Sequence, residues 1–191
     1  TADGERIWIL GNAGNADDVR AAVECGAEGI GLFRSEFLYM ESGDFPDEEK
    51  QYKAYAEAAE ICGERPLTIR TLDIGGDKAL PYLDLEKEEN PFLGYRAIRI
   101  SLDMIPQFKT QIRAILRAGA HGNVRMMFPM IATIEELVKA RKLVSECMEE
   151  LEAEGKTFDK EMLVGMMIET PASVLLADEF AEMADFFSIG T

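Results

Sequence analysis

Short apolar runs alternate along this chain with longer segments whose apolar positions recur every three or four residues, the pattern of repeated β-α units around a parallel sheet. The first predicted strand is Ile7 to Leu10. Asn15 then caps a helix carrying Val19, Ala22 and Val23 that Gly26 ends, and Gly29 to Phe33 reads as the second strand. Pro46 suits the first turn of a helix with the apolar face Tyr52, Tyr55, Ala56 and Ala59; Gly63 closes it ahead of a third strand, Leu67 to Leu72. Between Asp73 and Arg99 no period holds, and Gly75-Gly76, Pro81 and Asn90-Pro91 punctuate the stretch, so a long loop is predicted, of the kind that usually serves function. Helical spacing resumes at Phe108, Ile112, Ile115 and Leu116, ends near Gly119, and leads to a fourth strand, Val124 to Phe128. Thr133 and Glu136 have the spacing of a capping box for a helix with the stripe Ile134, Leu137, Val138, Val144, Met148 and Leu151, which Gly155 closes. Leu163 to Ile168 is the fifth strand, Thr170-Pro171 starts a helix through Val174, Leu175 and Ala181, and Phe186 to Ile189 is the sixth strand.

Six parallel strands with intervening helices fit either an open doubly wound sheet or an incomplete (β/α)8 barrel of about the first six β-α units. A whole barrel takes ~250 residues, and 191 falls short by roughly two units. An open sheet usually carries a glycine-rich phosphate turn after its first strand; Gly11-Asn12-Ala13-Gly14-Asn15 is a poor version of one, which favours the barrel. The chain starts at Thr1 without an initiator Met and stops after an apolar run, so both ends are expected to be cuts in a longer protein.

Charge narrows the partners. Twenty Lys and Arg against 36 Asp and Glu give −16, which repels nucleic acid and the anionic leaflet of a membrane. Cys25, Cys62 and Cys147 are scattered and accompany one histidine, which argues against a disulfide framework or a zinc site; they read as buried thiols in a reducing compartment. No apolar run approaches the ~20 residues that span a bilayer, and nothing resembles a signal peptide, so a cytoplasmic location is expected.

In parallel architectures ligands bind at the carboxyl ends of strands, which gives charged residues there a functional reading. Arg34 follows the run Ile30 to Phe33, Arg70 lies in the third strand, Lys78 comes from the long loop, and Glu169 closes the run Met166 to Ile168. Guanidinium groups match carboxylate and phosphate oxygens, so two arginines at neighbouring strand ends make an anion clamp; the alternative is structural pairing of Arg34 with Glu36 and Arg70 with Asp73. Glu169 suits either a helix N-terminus or a Mg²⁺ ion that takes few protein carboxylates. Spacing alone makes Arg96 and Arg99 a solvated basic face. His121 sits in a turn without an evident partner, and Met126, Met127, Met130, Met166 and Met167 read as barrel filling.

Several stretches, in order, resemble Enzyme I of the bacterial sugar phosphotransferase system: GIGLFRSEFLYM from Gly29, TIRTLDIGGDKALPY from Thr68, NPFLGYRAIRI from Asn90, MFPMI from Met127, GMMIETPA from Gly165 and DFFSIGT from Asp185. The resemblance covers nearly the whole chain and implies that residues 1–191 are part of a phosphoenolpyruvate-binding (β/α)8 barrel, with phosphohistidine and carrier-binding domains elsewhere. It further implies transfer of the phosphoryl group of phosphoenolpyruvate to a protein histidine and onward to the phosphocarrier protein HPr, with Mg²⁺ as cofactor and a homodimeric parent. Carried over by motif, Arg34 and Arg70 hold phosphoenolpyruvate, Lys78 and Arg96 belong to the same anion-binding mouth, and Glu169 is a metal carboxylate. His121 does not match the acceptor motif, and no catalytic residue falls in the chain, so activity of this piece alone is not expected. The third-strand motif from Arg70 to Lys78 looks like the phosphotransferase version; a pyruvate phosphate dikinase or phosphoenolpyruvate synthase type is the runner-up, and a non-catalytic binding module the competing class.

Overall fold

The strands observed are β1 (Gly11–Ala13), β2 (Ile30–Arg34), β3 (Leu67–Arg70), β4 (Val124–Phe128), β5 (Leu163–Ile168) and β6 (Phe187–Ile189). All pair in parallel, in the order β1-β2-β3-β4-β5-β6. A doubly wound sheet reverses its strand order at a switch point; strictly consecutive parallel neighbours make an incomplete α/β barrel. The computed structural model describes residues 1–75, 80, 82–83, 89–90 and 93–190. Its helices are α1 (Ala16–Glu24), α2 (Glu36–Met40), α3 (Glu48–Cys62), α4 (Ile98–Asp103), α5 (Ile105–Ala118), α6 (Ile134–Ala153), α7 (Pro171–Leu175) and α8 (Ala177–Ala181).

Local chemistry sets where helices begin. The Asn15 side chain accepts from Asp18 N, Asp47 accepts from Lys50 N, and Thr133 with Glu136 closes a reciprocal capping box, each satisfying amides that the first turn leaves unbonded. Alternation along the strands then divides the sheet. Phe33, Ile69, Met126 and Met166 turn towards the helices, where Phe33 meets Tyr55 edge-on at 6.0 Å and Phe128 meets Phe108 at 5.9 Å. Leu32, Arg70 and Met167, one residue out of phase, face the lumen. A second, smaller core of Tyr39, Leu72, Ile74, Leu80 and Ile100 lies where the chain leaves β3.

The outer helices are joined by charge. The Glu48 carboxylate receives Arg113 Nε at 2.6 Å, Arg117 Nη1 at 2.5 Å and Lys156 Nζ at 3.1 Å, tying α3 to α5 and to the chain beyond α6. Burial pushes this carboxyl up, but the three donors outweigh it and hold the group at about 2.

Several expectations are corrected. The first strand is Gly11–Ala13 and not Ile7 to Leu10: among the described residues that run makes one backbone bond to its neighbour, Glu28 N to Ile9 O, the Ile9 amide goes to the Glu28 side chain instead, and Ile7 and Ile9 are 63% and 67% exposed. The residues that do pair include Gly11, where a Cβ would meet that of Ala22 at 2.9 Å; close packing required a glycine, and a glycine in sequence reads as a turn. Pro46 precedes the Asp47 cap and so lies outside α3. The predicted loop to Arg99 overruns α4, which at six residues is too short to show a period. The short helix α2 has no counterpart among the expected elements, and the single helix expected after Pro171 is two, interrupted at Leu176. Val138 is exposed and lies off the buried stripe of α6, and Cys25 is exposed, unlike Cys62 and Cys147.

Candidate functional site

Parallel pairing places Arg34 and Arg70 opposite one another as register partners at the carboxyl ends of β2 and β3. Arg70 is 6% exposed; its Nη2 donates to Glu36 Oε1 at 2.7 Å and its Nη1 to Asp73 Oδ2 at 2.9 Å. Asp73 also accepts from Arg96 Nη2 at 2.7 Å, so one carboxylate bridges two guanidinium groups. Arg96 is therefore buried in an ion pair, and its expected place on a solvated basic face is corrected. The segment after β3 is shaped to permit this contact. Gly75 sits at φ +111°, where a Cβ would lie 2.5 Å from that of Arg96, and Ala97 N donates to Ile74 O at 2.9 Å. Arg99 turns away and donates to the carbonyls of Leu93 and Gly94.

Arg34 differs from these two. Its sequence neighbour Glu36 is bonded to Arg70, and among the described residues Arg34 makes no ion pair. Its guanidinium lies 4.6 Å from the centre of the Phe37 ring, and its buried Nε–H, like that of Arg70, has no hydrogen-bond partner among the described residues. A buried donor left unbonded is costly, which makes such a group an attractive seat for an incoming oxygen. The structural pairing of Arg34 with Glu36 considered from sequence is not formed, whereas that of Arg70 with Asp73 is.

Glu169 follows β5 directly. Its Oε1 accepts from Met130 N at 2.7 Å, and Met130 takes the left-handed φ of +59° that aims this amide. Thr170 Oγ1 donates to Ile131 O at 3.0 Å, so two bonds join the end of β5 to the segment after β4. Burial holds the Glu169 carboxyl above its ordinary range; the Met130 amide acts the other way, Asp73 adds to the rise, and Arg70 and Arg96 oppose it. Arg70 and Glu169 line one cleft of ≈450 Å³ together with Leu32, Met167 and Ser188. A cleft of ≈560 Å³ around Trp8, Pro66 and Arg125 opens at the opposite, amino-terminal ends of the strands and contains none of these residues. Lys78 lies outside the described residues.

No cluster of three metal-binding side chains occurs among the described residues. Glu169 nevertheless suits a hard divalent cation: Oε1 is anchored, Oε2 takes no donor from the described residues, and Mg²⁺ bound with a phosphorylated compound commonly uses one or two protein carboxylates. His121 belongs to a different place. It precedes β4, with Nε2 at 2.7 Å from the Tyr52 hydroxyl and Nδ1 at 3.0 Å from Glu60, so the expectation of a histidine without partners is corrected.

Residues 1–191 match the family model described as PEP-utilising enzyme, PEP-binding domain. The chain belongs to this family. Curated relatives of the PEP-binding domain include the phosphoenolpyruvate-protein phosphotransferases of Geobacillus stearothermophilus, 51% identical over 191 residues, and Enterococcus faecalis, 50% identical over 193. That of Mycoplasma capricolum is 52% identical over 191 residues. Each match covers 100% of the chain and 33–34% of the relative, so the chain spans about a third of the length of the curated relatives it matches. Among solved structures, 3-dehydroquinate dehydratase from Geobacillus kaustophilus superposes with a TM-score of 0.55 at 15% identity, over 97% of this chain and 62% of that one. That likeness concerns the fold alone.

The sequence signalled the arginines of the PEP-binding domain and Glu169 by their places at strand ends. It gave no sign that the Met130 amide anchors Glu169, because a backbone donor has no residue type. Nor did it single out Gln111, whose contacts reach 39 and 76 residues away.

Proposed function

We propose that the parent protein is a phosphoenolpyruvate-protein phosphotransferase, that the cleft lined by Arg70 and Glu169 is part of its phosphoenolpyruvate site, and that Arg34, Arg96 and Lys78 serve the same site. The observation that carries this reading is the charge balance at the strand ends. Glu36 and Asp73 offset Arg70 and Arg96, while Arg34, the register partner of Arg70, has no acid among the described residues in a chain of net charge −16. An anion is the natural complement to that excess. Arg34 and Arg70 would grip carboxylate or phosphate oxygens of the three-carbon substrate, with Arg70 fixed beforehand by its two carboxylates.

Glu169 would hold Mg²⁺, which when bound helps neutralise charge on the phosphoryl oxygens. The chain's own contribution is to orient the donor and to place guanidinium groups where negative charge builds up as the phosphoryl group departs. The acceptor is a histidine outside this sequence: His121 is the one histidine, and it precedes β4 at the end of the barrel opposite the cleft. From there the phosphoryl group would pass to HPr for sugar uptake, in a cytoplasmic, homodimeric parent whose other domains supply the histidine and the carrier surface. Residues 1–191 accordingly form the partial barrel domain and transfer nothing by themselves.

Calorimetric titration with phosphoenolpyruvate and Mg²⁺ tests the assignment. Charge-assisted hydrogen bonds contribute about 1.5–3 kcal/mol each, so Arg34→Ala should weaken binding roughly 10- to 100-fold. Equal affinity of the wild type and Arg34→Ala would refute it.

A further inference from the structure

Beneath the two arginine-bearing strand ends lies a buried polar network that the proposed chemistry does not touch. Gln111, on α5 and 1% exposed, is its hub. Its Nε2 donates to Ser35 Oγ at 3.0 Å and to the Tyr55 hydroxyl at 3.2 Å, and its Oε1 accepts from Leu72 N at 2.9 Å. Ser35, fully buried, directly follows Arg34; Leu72 lies between Arg70 and Asp73. One amide from a helix distant in sequence thus grips the chain on both sides of the clamp, one residue from the first arginine and two from the second.

The apolar alternatives are conspicuous by contrast. The α5 residues that pack on the sheet near this position are Phe108, Ile112 and Ile115, and a glutamine among them costs desolvation unless its amide is bonded. Both polar atoms are bonded, and two of the three bonds end on segments that carry an arginine. Leu72 N is past the end of the β3 ladder, so Gln111 supplies the acceptor that a neighbouring strand would otherwise give. The third bond enters a relay in which Gln51 Oε1 accepts from the Tyr55 and Tyr39 hydroxyls and Gln51 Nε2 donates to Pro46 O. The relay lies behind the amide, while the bonds to Ser35 and Leu72 are the two arms that reach the arginine-bearing segments.

We propose that Gln111 is a positioning residue: it sets the separation and orientation of the β2 and β3 carboxyl ends, and through them the spacing of the Arg34–Arg70 anion clamp. Its value for substrate binding rests on the function proposed above, but the positional claim does not.

Two readouts keep those claims apart. In ligand-free protein, the side-chain Nε–Hε signals of Arg34 and Arg70 report clamp geometry by heteronuclear NMR. Gln111→Met removes both polar arms at similar volume and should move both arginine signals together with the Ser35 and Leu72 amides. Tyr55→Phe cuts the same network behind Gln111 and should lower the denaturation midpoint while leaving the arginine signals in place. Unmoved arginine signals in Gln111→Met would overturn the proposal and make Gln111 a packing residue only. Should Gln111→Met fail to fold, Ser35→Ala decides: a displaced Arg34 signal with Arg70 unmoved supports the two-armed bridge, and no displacement overturns it. In a parallel phosphoenolpyruvate titration, Gln111→Met should weaken binding on the order of tenfold, the loss of about one charge-assisted hydrogen bond. No binding to the wild type would count against the substrate assignment, while the arginine signals would still decide the role of Gln111.

Discussion

Replacing Glu36 by Gln tests how the central arginine is held, without any ligand. Glu36 and Arg70 meet at 2.7 Å with side chains 1% and 8% exposed, so solvent screens the pair little. A hydrogen bond to a charged group contributes about 1.5–3 kcal/mol, and breaking a buried pair by removing one partner costs about 3–5 kcal/mol. Arg70 keeps Asp73 at 2.9 Å in the Glu36→Gln variant, which places the expected loss near the lower figure, about 2–3 kcal/mol. Arg70→Met takes the cation from two carboxylates at once and should cost about 3–5 kcal/mol. The double variant has neither charge, so its loss should fall short of the sum by about 2 kcal/mol, within the range seen for residues in one network. Urea denaturation of the four proteins at neutral pH, fitted with a common slope, gives the cycle. Additivity within about 0.5 kcal/mol would refute the argument that the pair is dry and coupled.

The remaining predictions concern pH and packing. Because the Glu48 carboxyl is held at about 2 in the fold against an ordinary value of 4.5, its contribution to stability is complete above pH 4.5 and lost as pH falls towards 2. Glu48→Gln should therefore be less stable than the wild type at pH 7 and should converge with it near pH 2; a constant difference across acid denaturation curves would contradict the assignment. Gly165→Ala would place a Cβ 2.4 Å from the Phe186 carbonyl oxygen, so the backbone before β6 must move, at a cost of about 1–3 kcal/mol. Hydrogen exchange of the β6 amides should quicken in that variant, and unchanged protection would show that the gap between β5 and β6 is wider than described. Burial holds Glu169 above the ordinary carboxylate range, so cation binding there should weaken as pH falls through that raised value, and a pH-independent Mg²⁺ affinity would argue against Glu169 as the ligand.

The parts of the fold legible in the sequence were those whose signals are local and periodic. Val124 to Phe128 and Leu163 to Ile168 are observed with the bounds expected, because buried parallel strands write themselves as continuous apolar runs. The Thr133 capping box is observed for the same reason, as two side chains three residues apart carry it. Failures occurred where tertiary contact overrode pattern. Gly11 pairs in the sheet because α1 crowds it, while the apolar Ile7 and Ile9 remain exposed beside the edge. Arg96 reads as surface because no periodicity reveals that Asp73, 23 residues earlier, buries it. At the candidate site, strand-end position picked out Arg34, Arg70 and Glu169, but which arginine would be left without an acid among the described residues depended on Glu36 reaching across to the neighbouring strand.

The most direct test of the anion clamp is an NMR titration of the ¹⁵N-labelled chain with phosphoenolpyruvate in the presence of Mg²⁺. The Nε–Hε signals of Arg34 and Arg70, both without a hydrogen-bond partner among the described residues, should shift, accompanied by the Met130 amide that anchors Glu169. Shifts confined to residues at the amino-terminal ends of the strands, around Trp8 and Arg125, with Arg34 and Arg70 unmoved, would contradict it.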